Sequence, residues 1–285
     1  MSVKILQERL ERYQPKSWTE EENAIKEIFQ EVALAALGRT DFFKYAAFQG
    51  GTALRILYTL QRFSEDLDFI LKAPDPQFRL IDYLKNLREE FSVYGVLMEV
   101  EDRSKLNASV QKAFIKEDST GSMLSLKYKP RDQQPRKIKI KFEIDTNPPL
   151  GSVFETKFLD FPFSFGVLMQ DLPSLFAGKN HALLCREYIK GRDWYDFLWY
   201  VGRKIPINFT LLDNACQQNG PWKGEQGIVT KDWYLQNMEK KIGSIDWEAA
   251  KKDIARFLKP RDLPTLDLWN TNFFLDHLNK LKEYL

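Results

Sequence analysis

Two glycines, a threonine and a pair of aspartates carry the chemistry that stands out in this sequence. Gly50-Gly51-Thr52 follows an apolar lead-in, and Asp66-Leu67-Asp68-Phe69 comes one short helical run later. Glycines let the backbone approach a ligand without interference from a Cβ, and the amides of a helix start can face a phosphate. Thr52 adds a hydroxyl there. Asp66 and Asp68 alternate with Leu67 and Phe69, the pattern of a half-buried strand, so both carboxylates project from one face. Two hard oxygen ligands side by side are what a magnesium ion holding a triphosphate requires. A Gly-Gly turn alone, or a surface Asp-x-Asp alone, is a common structural feature. Thirteen residues, Ala53 to Glu65, separate Thr52 from Asp66, and that spacing joins the two. Turn, helix and strand bring a phosphate contact and a metal contact to the same end of one unit.

The elements that must position this pair follow from periodicity. Residues 1–14 fit a short amphipathic helix. Thr19, with Glu20, Glu21 and Glu22 behind it, fits the start of a helix through Leu37 whose apolar stripe is Ile25, Ile28, Phe29, Val32, Ala33 and Ala36. Phe42–Phe48 is a short apolar segment feeding the glycine turn, and a helix is expected from Ala53 to about Gln61. Beyond the Pro74-Asp75-Pro76 turn, Phe78–Phe91 has helical spacing, Val93–Glu101 fits a strand, and residues 102–116 are polar. Ser122–Lys129 alternates as a strand within a basic run that includes Lys127, Lys129, Arg131, Arg136 and Lys137. That run fits a solvated hairpin edge or a surface for nucleic-acid phosphates.

Lys137–Asp145, KIKIKFEID, alternates throughout, which sends Ile138, Ile140, Phe142 and Ile144 to the core and leaves Lys139, Lys141, Glu143 and Asp145 on the other face. Glu143 or Asp145 could supply a third carboxylate beside Asp-x-Asp, as metal ligand or as general base, and Asp145 is the preferred candidate. A plain solvent-facing acid is the alternative. Gly151–Leu168 reads as extended, Leu175–Ile189 as a helix, and another helix opens after Gly191 with Asp193 and Asp196 sharing one face. Asp193 either caps that helix or orients Lys179 toward a phosphate or the metal. A loop at Asn219–Glu225 precedes helices that bury Trp247, Ile254, Phe257 and Leu258, and a turn at Pro260–Pro264 precedes the last helix.

Composition narrows the class. With 285 residues and 44% hydrophobic content the chain can build a substantial core and is not a disordered protein. A net charge of +2 makes no global field for nucleic acid, so only local basic stretches argue for it. Cys185 and Cys216 are far apart in sequence and His181 and His277 stand singly, which reads as reduced thiols and no zinc site. The N-terminus lacks a signal-peptide core and no run of apolar residues is long enough to span a bilayer, so a cytoplasmic protein without membrane partners is expected.

The Gly-Thr turn followed by Asp-x-Asp resembles the signature of the nucleotidyltransferase superfamily. Within it, the chain is similar to the AbiEii/AbiGii family of nucleotidyltransferase toxins. The residues that carry the likeness are Gly50-Gly51-Thr52-Ala53-Leu54-Arg55 and Arg62-Phe63-Ser64-Glu65-Asp66-Leu67-Asp68-Phe69. Ala177-Gly178-Lys179 with Ala182, Leu183 and Arg186, then Gly191-Arg192-Asp193 with Tyr195 and Asp196, complete it. The resemblance implies an α+β fold, a nucleotidyltransferase-like mixed sheet flanked by helices with a helical C-terminal half. Residues 1–165 would be the catalytic domain, and 166–285 a helical domain completing the active-site cleft. It implies Asp66 and Asp68 as ligands of Mg2+, with two ions possible; a third strand carboxylate is not a firm feature of the family, so Asp145 stays a metal-ligand candidate from its strand alone. Lys179 and Asp193 would join the catalytic set, and Gly50, Gly51, Thr52, Arg55 and Ser64 the nucleoside triphosphate site. It further implies transfer of a nucleoside monophosphate to a hydroxyl, most simply the tRNA 3′ end, and a cognate antitoxin protein or transcriptional regulator as partner. Two rivals remain at the level of sequence: nucleotidyl or phosphoryl transfer onto protein, and a non-catalytic RNA-binding module.

Overall fold

The computed structural model describes residues 2–102, 109–117 and 138–285. The chain divides into two compact units. Met1–Thr59, Phe63–Pro148 and Glu155–Met169 form the first, and Leu60–Arg62, Pro149–Phe154 and Gln170–Leu285 the second.

The first unit is a mixed sheet flanked by helices. Its elements run α1 (Ser2–Tyr13), α2 (Trp18–Gly38), α3 (Phe42–Tyr45), β1 (Ala46–Gln49), α4 (Gly50–Tyr58), β2 (Asp66–Leu71), α5 (Leu80–Val93), β3 (Met98–Asp102), β4 (Val110–Glu117), β5 (Ile138–Asp145), β6 (Phe154–Leu159) and β7 (Phe165–Gln170). The described strands form a seven-stranded sheet in the order β3-β4-β5-β2-β1-β7-β6. β2 lies between a parallel neighbour, β5, and an antiparallel one, β1, so the Asp-x-Asp segment sits on a central strand held on both edges. β5 buries Ile138, Ile140, Phe142 and Ile144, as its alternation requires.

Helix α2 is buried along much of its length and packs edge-on through Phe29 against Phe91 of α5, with ring centroids 5.6 Å apart. Its N-cap is Ser17, not Thr19: the Ser17 side chain accepts from the Glu20 amide. Phe42 stacks edge-on with Phe69 of β2, Phe78 and Tyr83, anchoring the floor beneath the aspartates. Arg9 of α1 grips Glu31 of α2, with Nε donating to Oε2 at 3.0 Å, and Tyr13 donates to Glu27 at 3.1 Å. These bonds fix α1 on α2.

Some elements depart from the sequence reading. The lead-in to the glycines is α3 followed by strand β1, and α4 begins at Gly50 itself, so the glycine turn is the helix's first turn. β4 occupies part of the stretch read as merely polar, because antiparallel pairing with β5 satisfies its backbone. Lys112 on β4 pairs with Glu143 at 2.7 Å, while Ala113 is buried. The expected strand at 122–129 and the basic residues Lys127, Lys129, Arg131, Arg136 and Lys137 lie outside the described residues.

The second unit is mainly helical: α6 (Leu172–Cys185), α7 (Gly191–Gly202), α8 (Phe209–Gln218), α9 (Lys231–Gly243), α10 (Trp247–Ala255), a 3-10 segment (Pro260–Leu268) and α11 (Thr271–Lys282). Asp171 caps α6 by accepting from Ser174 N at 2.9 Å. That helix stops at Cys185 rather than Ile189, because Arg186 takes extended backbone. Trp194, Trp247 and Phe274 make the aromatic centre, the last two stacked 4.0 Å apart. Gly191 opens α7 against α10 so closely that a Cβ there would meet the Ala250 carbonyl oxygen at 2.0 Å. Among the described residues, no helix is long and apolar enough to cross a membrane.

Candidate active site

Asp66 and Asp68 open β2 on its half-exposed face, while Leu67 and Phe69 are buried on the other. Register fixes their surroundings: Asp68 stands across from Gln49 on β1 and Glu143 on β5, and Asp66 across from Lys141. Gly50 follows Gln49 with φ +79, in the left-handed region that favours glycine. A Cβ at Gly50 would lie 2.7 Å from Asp68 Oδ2. The glycine turn therefore lies directly against the Asp68 carboxylate, bringing the start of α4 and the acids to one place. Burial works against the Lys141 ammonium, but Glu143, Asp66 and Asp68 together hold its pKa above the ordinary value.

The other residues expected around the triphosphate have structural partners. Thr52 is 0% exposed; its hydroxyl donates to the Asp66 carbonyl and shares a 2.8 Å hydrogen bond with Ser64 Oγ. Thr52 and Ser64 thus tie the first turn of α4 to the start of β2 and set where the aspartates stand. Arg55 Nε donates to Glu27 at 2.8 Å, and its guanidinium lies 4.8 Å over the Phe63 ring, which anchors α4 on α2. Asp145 lies two residues beyond Glu143, opposite Ile70, and accepts from Asn147 N at 2.9 Å; burial pushes its pKa up. Register places Glu143, not Asp145, beside Asp68. Glu143 is half-buried and bridges Lys112 and Lys141 at 2.7 and 2.8 Å; the two lysines overcome its burial and lower its pKa.

Lys179, Asp193 and Asp196 meet inside the second unit. Lys179 Nζ donates to Asp193 Oδ1 at 2.7 Å and lies 2.8 Å from Asp196 Oδ2. Arg62 grips both oxygens of Asp196, through Nε at 2.7 Å and a terminal nitrogen at 2.6 Å, and Arg186 pairs with the far oxygen of Asp193. Asp196 is 0% exposed and Asp193 4% exposed. Burial opposes their ionisation, yet Lys179, Arg186 and Lys190 hold the Asp193 pKa at about 2. The same contest, won by Arg62 and Lys179, lowers that of Asp196. The Lys179 ammonium is likewise kept charged against burial by the two aspartates. The N-cap of α7 is Lys190, and no side chain caps it, so the Asp193 carboxylate serves the cluster and not the helix end. Arg62 and Asp196, absent from the expected site set, complete this network; they are 134 residues apart in sequence, and both stand among the residues that carry the family likeness.

A central strand with Asp-x-Asp, lying against a glycine turn that starts a helix, defines a nucleotidyltransferase-type protein. The profile of the family described as nucleotidyl transferase AbiEii toxin, type IV TA system, matches residues 32–272, and the chain belongs to that family. Solved structures share the fold. JHP933 from Helicobacter pylori is 16% identical over 92% of both chains, with a TM-score of 0.56. MenT4, a nucleotidyltransferase toxin from Mycobacterium tuberculosis, is 16% identical over 99% of both chains, with a TM-score of 0.52. No curated protein matches the chain.

Proposed function

We propose that the protein transfers a nucleoside monophosphate from a nucleoside triphosphate to a hydroxyl at the tRNA 3′ end, in the cytoplasm, as the toxin of a toxin–antitoxin pair. The observation that carries this reading is the Asp68 carboxylate lying against Gly50, with Asp66 on the same strand face. The donor set fits magnesium: both groups are hard oxygens, and glycine at position 50 keeps their surroundings free of a Cβ. Bound there, magnesium would neutralise phosphate charge and orient the triphosphate.

The residues of the chain then divide the work. Asp66 and Asp68 hold the cation. The amides at the start of α4, beginning with Gly50 and Gly51, face phosphate oxygens. Thr52 and Ser64 hold the strand start in place, and Arg55 steadies α4. Lys179 is kept in the catalytic set on the family likeness, and Asp193 and Asp196 are the residues that fix its ammonium within the helical unit. The acceptor hydroxyl oxygen forms a bond to the α-phosphorus, the bond from that phosphorus to the bridging oxygen of pyrophosphate breaks, and the hydroxyl proton passes to a base. Glu143, across from Asp68 in the register, is the residue we assign to that proton.

The acceptor is tested by incubating the full chain with each labelled triphosphate, magnesium and total RNA, then mapping the label. Label at the 3′ end of tRNA is expected. Label in polypeptide instead would overturn the acceptor assignment, and label in neither would overturn transfer itself.

A further inference from the structure

A second constellation lies within the helical unit, among residues to which the proposed transfer assigns no role. His181 and Cys185 are four residues apart on α6, which puts them on one face of the helix, and Cys216 comes from α8. One ring nitrogen of His181 and the two sulfurs all lie within 4.8 Å of one another. In the sequence these residues stand apart, as separate thiols and a single histidine with no zinc-site spacing. The fold brings them together because α6 and α8 pack side by side, closing the 31-residue gap between Cys185 and Cys216.

The surroundings keep the place compact. His181 Nε2 is 3.1 Å from the Asn219 carbonyl oxygen, which orients the imidazole. Gly220, with φ +105, follows directly, and a Cβ there would lie 2.7 Å from Cys185 Sγ. A side chain at 220 would therefore press on the sulfur, whereas glycine leaves it room. Cys216 is buried and Cys185 and His181 are half-buried, so the cluster is reachable from one side.

We infer that His181, Cys185 and Cys216 form a site for a soft divalent transition-metal ion of the zinc class, clamping α6 to α8. Two thiolates and an imidazole are the donors that such an ion selects over the hard carboxylates of β2. Tetrahedral ligation, with metal–sulfur bonds of about 2.3 Å and metal–nitrogen bonds of about 2.0 Å, asks for ligand separations of about 3.5–3.8 Å. The cluster closes to that by side-chain adjustments on the order of an ångström. Three protein ligands leave a fourth position on the exposed side for water or another small donor. Binding releases the thiol protons, because the thiolate is the ligand.

Cobalt(II) titrated into the reduced full-length protein tests this, since sulfur-to-cobalt charge-transfer absorption reports thiolate ligation and the carboxylates of β2 give none. One thiolate-bound cobalt per chain is expected, displaced by zinc, with a zinc-dependent rise in melting temperature. Cys185→Ser and Cys216→Ser should each weaken binding by more than about 100-fold, beyond the loss typical of a residue outside the ligand set. Cys185 sits at a helix end, so its variant reads the site even if the buried Cys216 variant does not fold. The inference is overturned by reduced, folded protein that gives no thiolate band, or by a band that survives Cys185→Ser. It is equally overturned if a Cys185–Cys216 disulfide forms and the chain takes up no metal once reduced.

Discussion

At the scale of single residues, Gly50 shows why the turn and the acids form one device. Any side chain there meets a backbone conformation at φ +79 and the Asp68 carboxylate at once. Gly50→Ala should cost about 1–2 kcal/mol for the left-handed backbone alone, and more from the displaced carboxylate. A urea melt should show that loss, and nucleotide transfer should fall with it. Asp193 makes a different prediction. Its folded pKa of about 2 lies below the ordinary 3.8, so its contribution to stability is fully present above about pH 4 and is lost as pH falls toward 2. The stability gap between wild type and Asp193→Asn, measured by denaturant melts, should therefore shrink across that window; a constant gap would count against the ion-pair account. Asp66 and Asp68 were legible in the sequence because a strand's alternation is local. The inward hydroxyl of Thr52 was not, because a glycine turn looks the same whether the following threonine faces a ligand or the strand behind it.

Elements show the same division between local and distant information. β5 was legible from its alternation, and α2 from its apolar stripe. β4 was not, since Gln111 and Lys112 disguise a strand whose stability comes from pairing with β5 and from the Lys112–Glu143 bridge. Register also sets Glu143 across from Asp68 and Asp145 across from Ile70, a placement no single strand could reveal. The close approach of α7 and α10 makes a sharper test. Gly191→Ala would drive a methyl into the backbone of Ala250, which cannot rotate away as a side chain would. We expect a loss of about 3 kcal/mol or more, read as a lower urea midpoint, while Gly178→Ala, inside α6 with open space around it, should raise the midpoint, by up to about 1 kcal/mol of stability.

On the scale of the whole molecule, each compact unit draws on separate stretches of the chain. Leu60–Arg62 and Pro149–Phe154 belong with the helical unit, and Arg62 donates to each carboxylate oxygen of buried Asp196, beside the Lys179 ammonium. A fragment of residues 170–285 lacks that arginine, which leaves Asp196 with Lys179 but without its bidentate partner, and breaking a buried ion pair is costly. It should therefore fail to give the cooperative thermal transition of the full chain by circular dichroism. Family membership and the shared fold agree with transfer chemistry at β2, and the claim that Asp66 and Asp68 hold the reacting phosphates through a metal is the one on which the rest depends. Its most direct test is the rate at which purified Asp68→Asn transfers labelled nucleotide to RNA in magnesium, compared with wild type of equal melting temperature. The account predicts a fall of at least about 100-fold; transfer at the wild-type rate would contradict it.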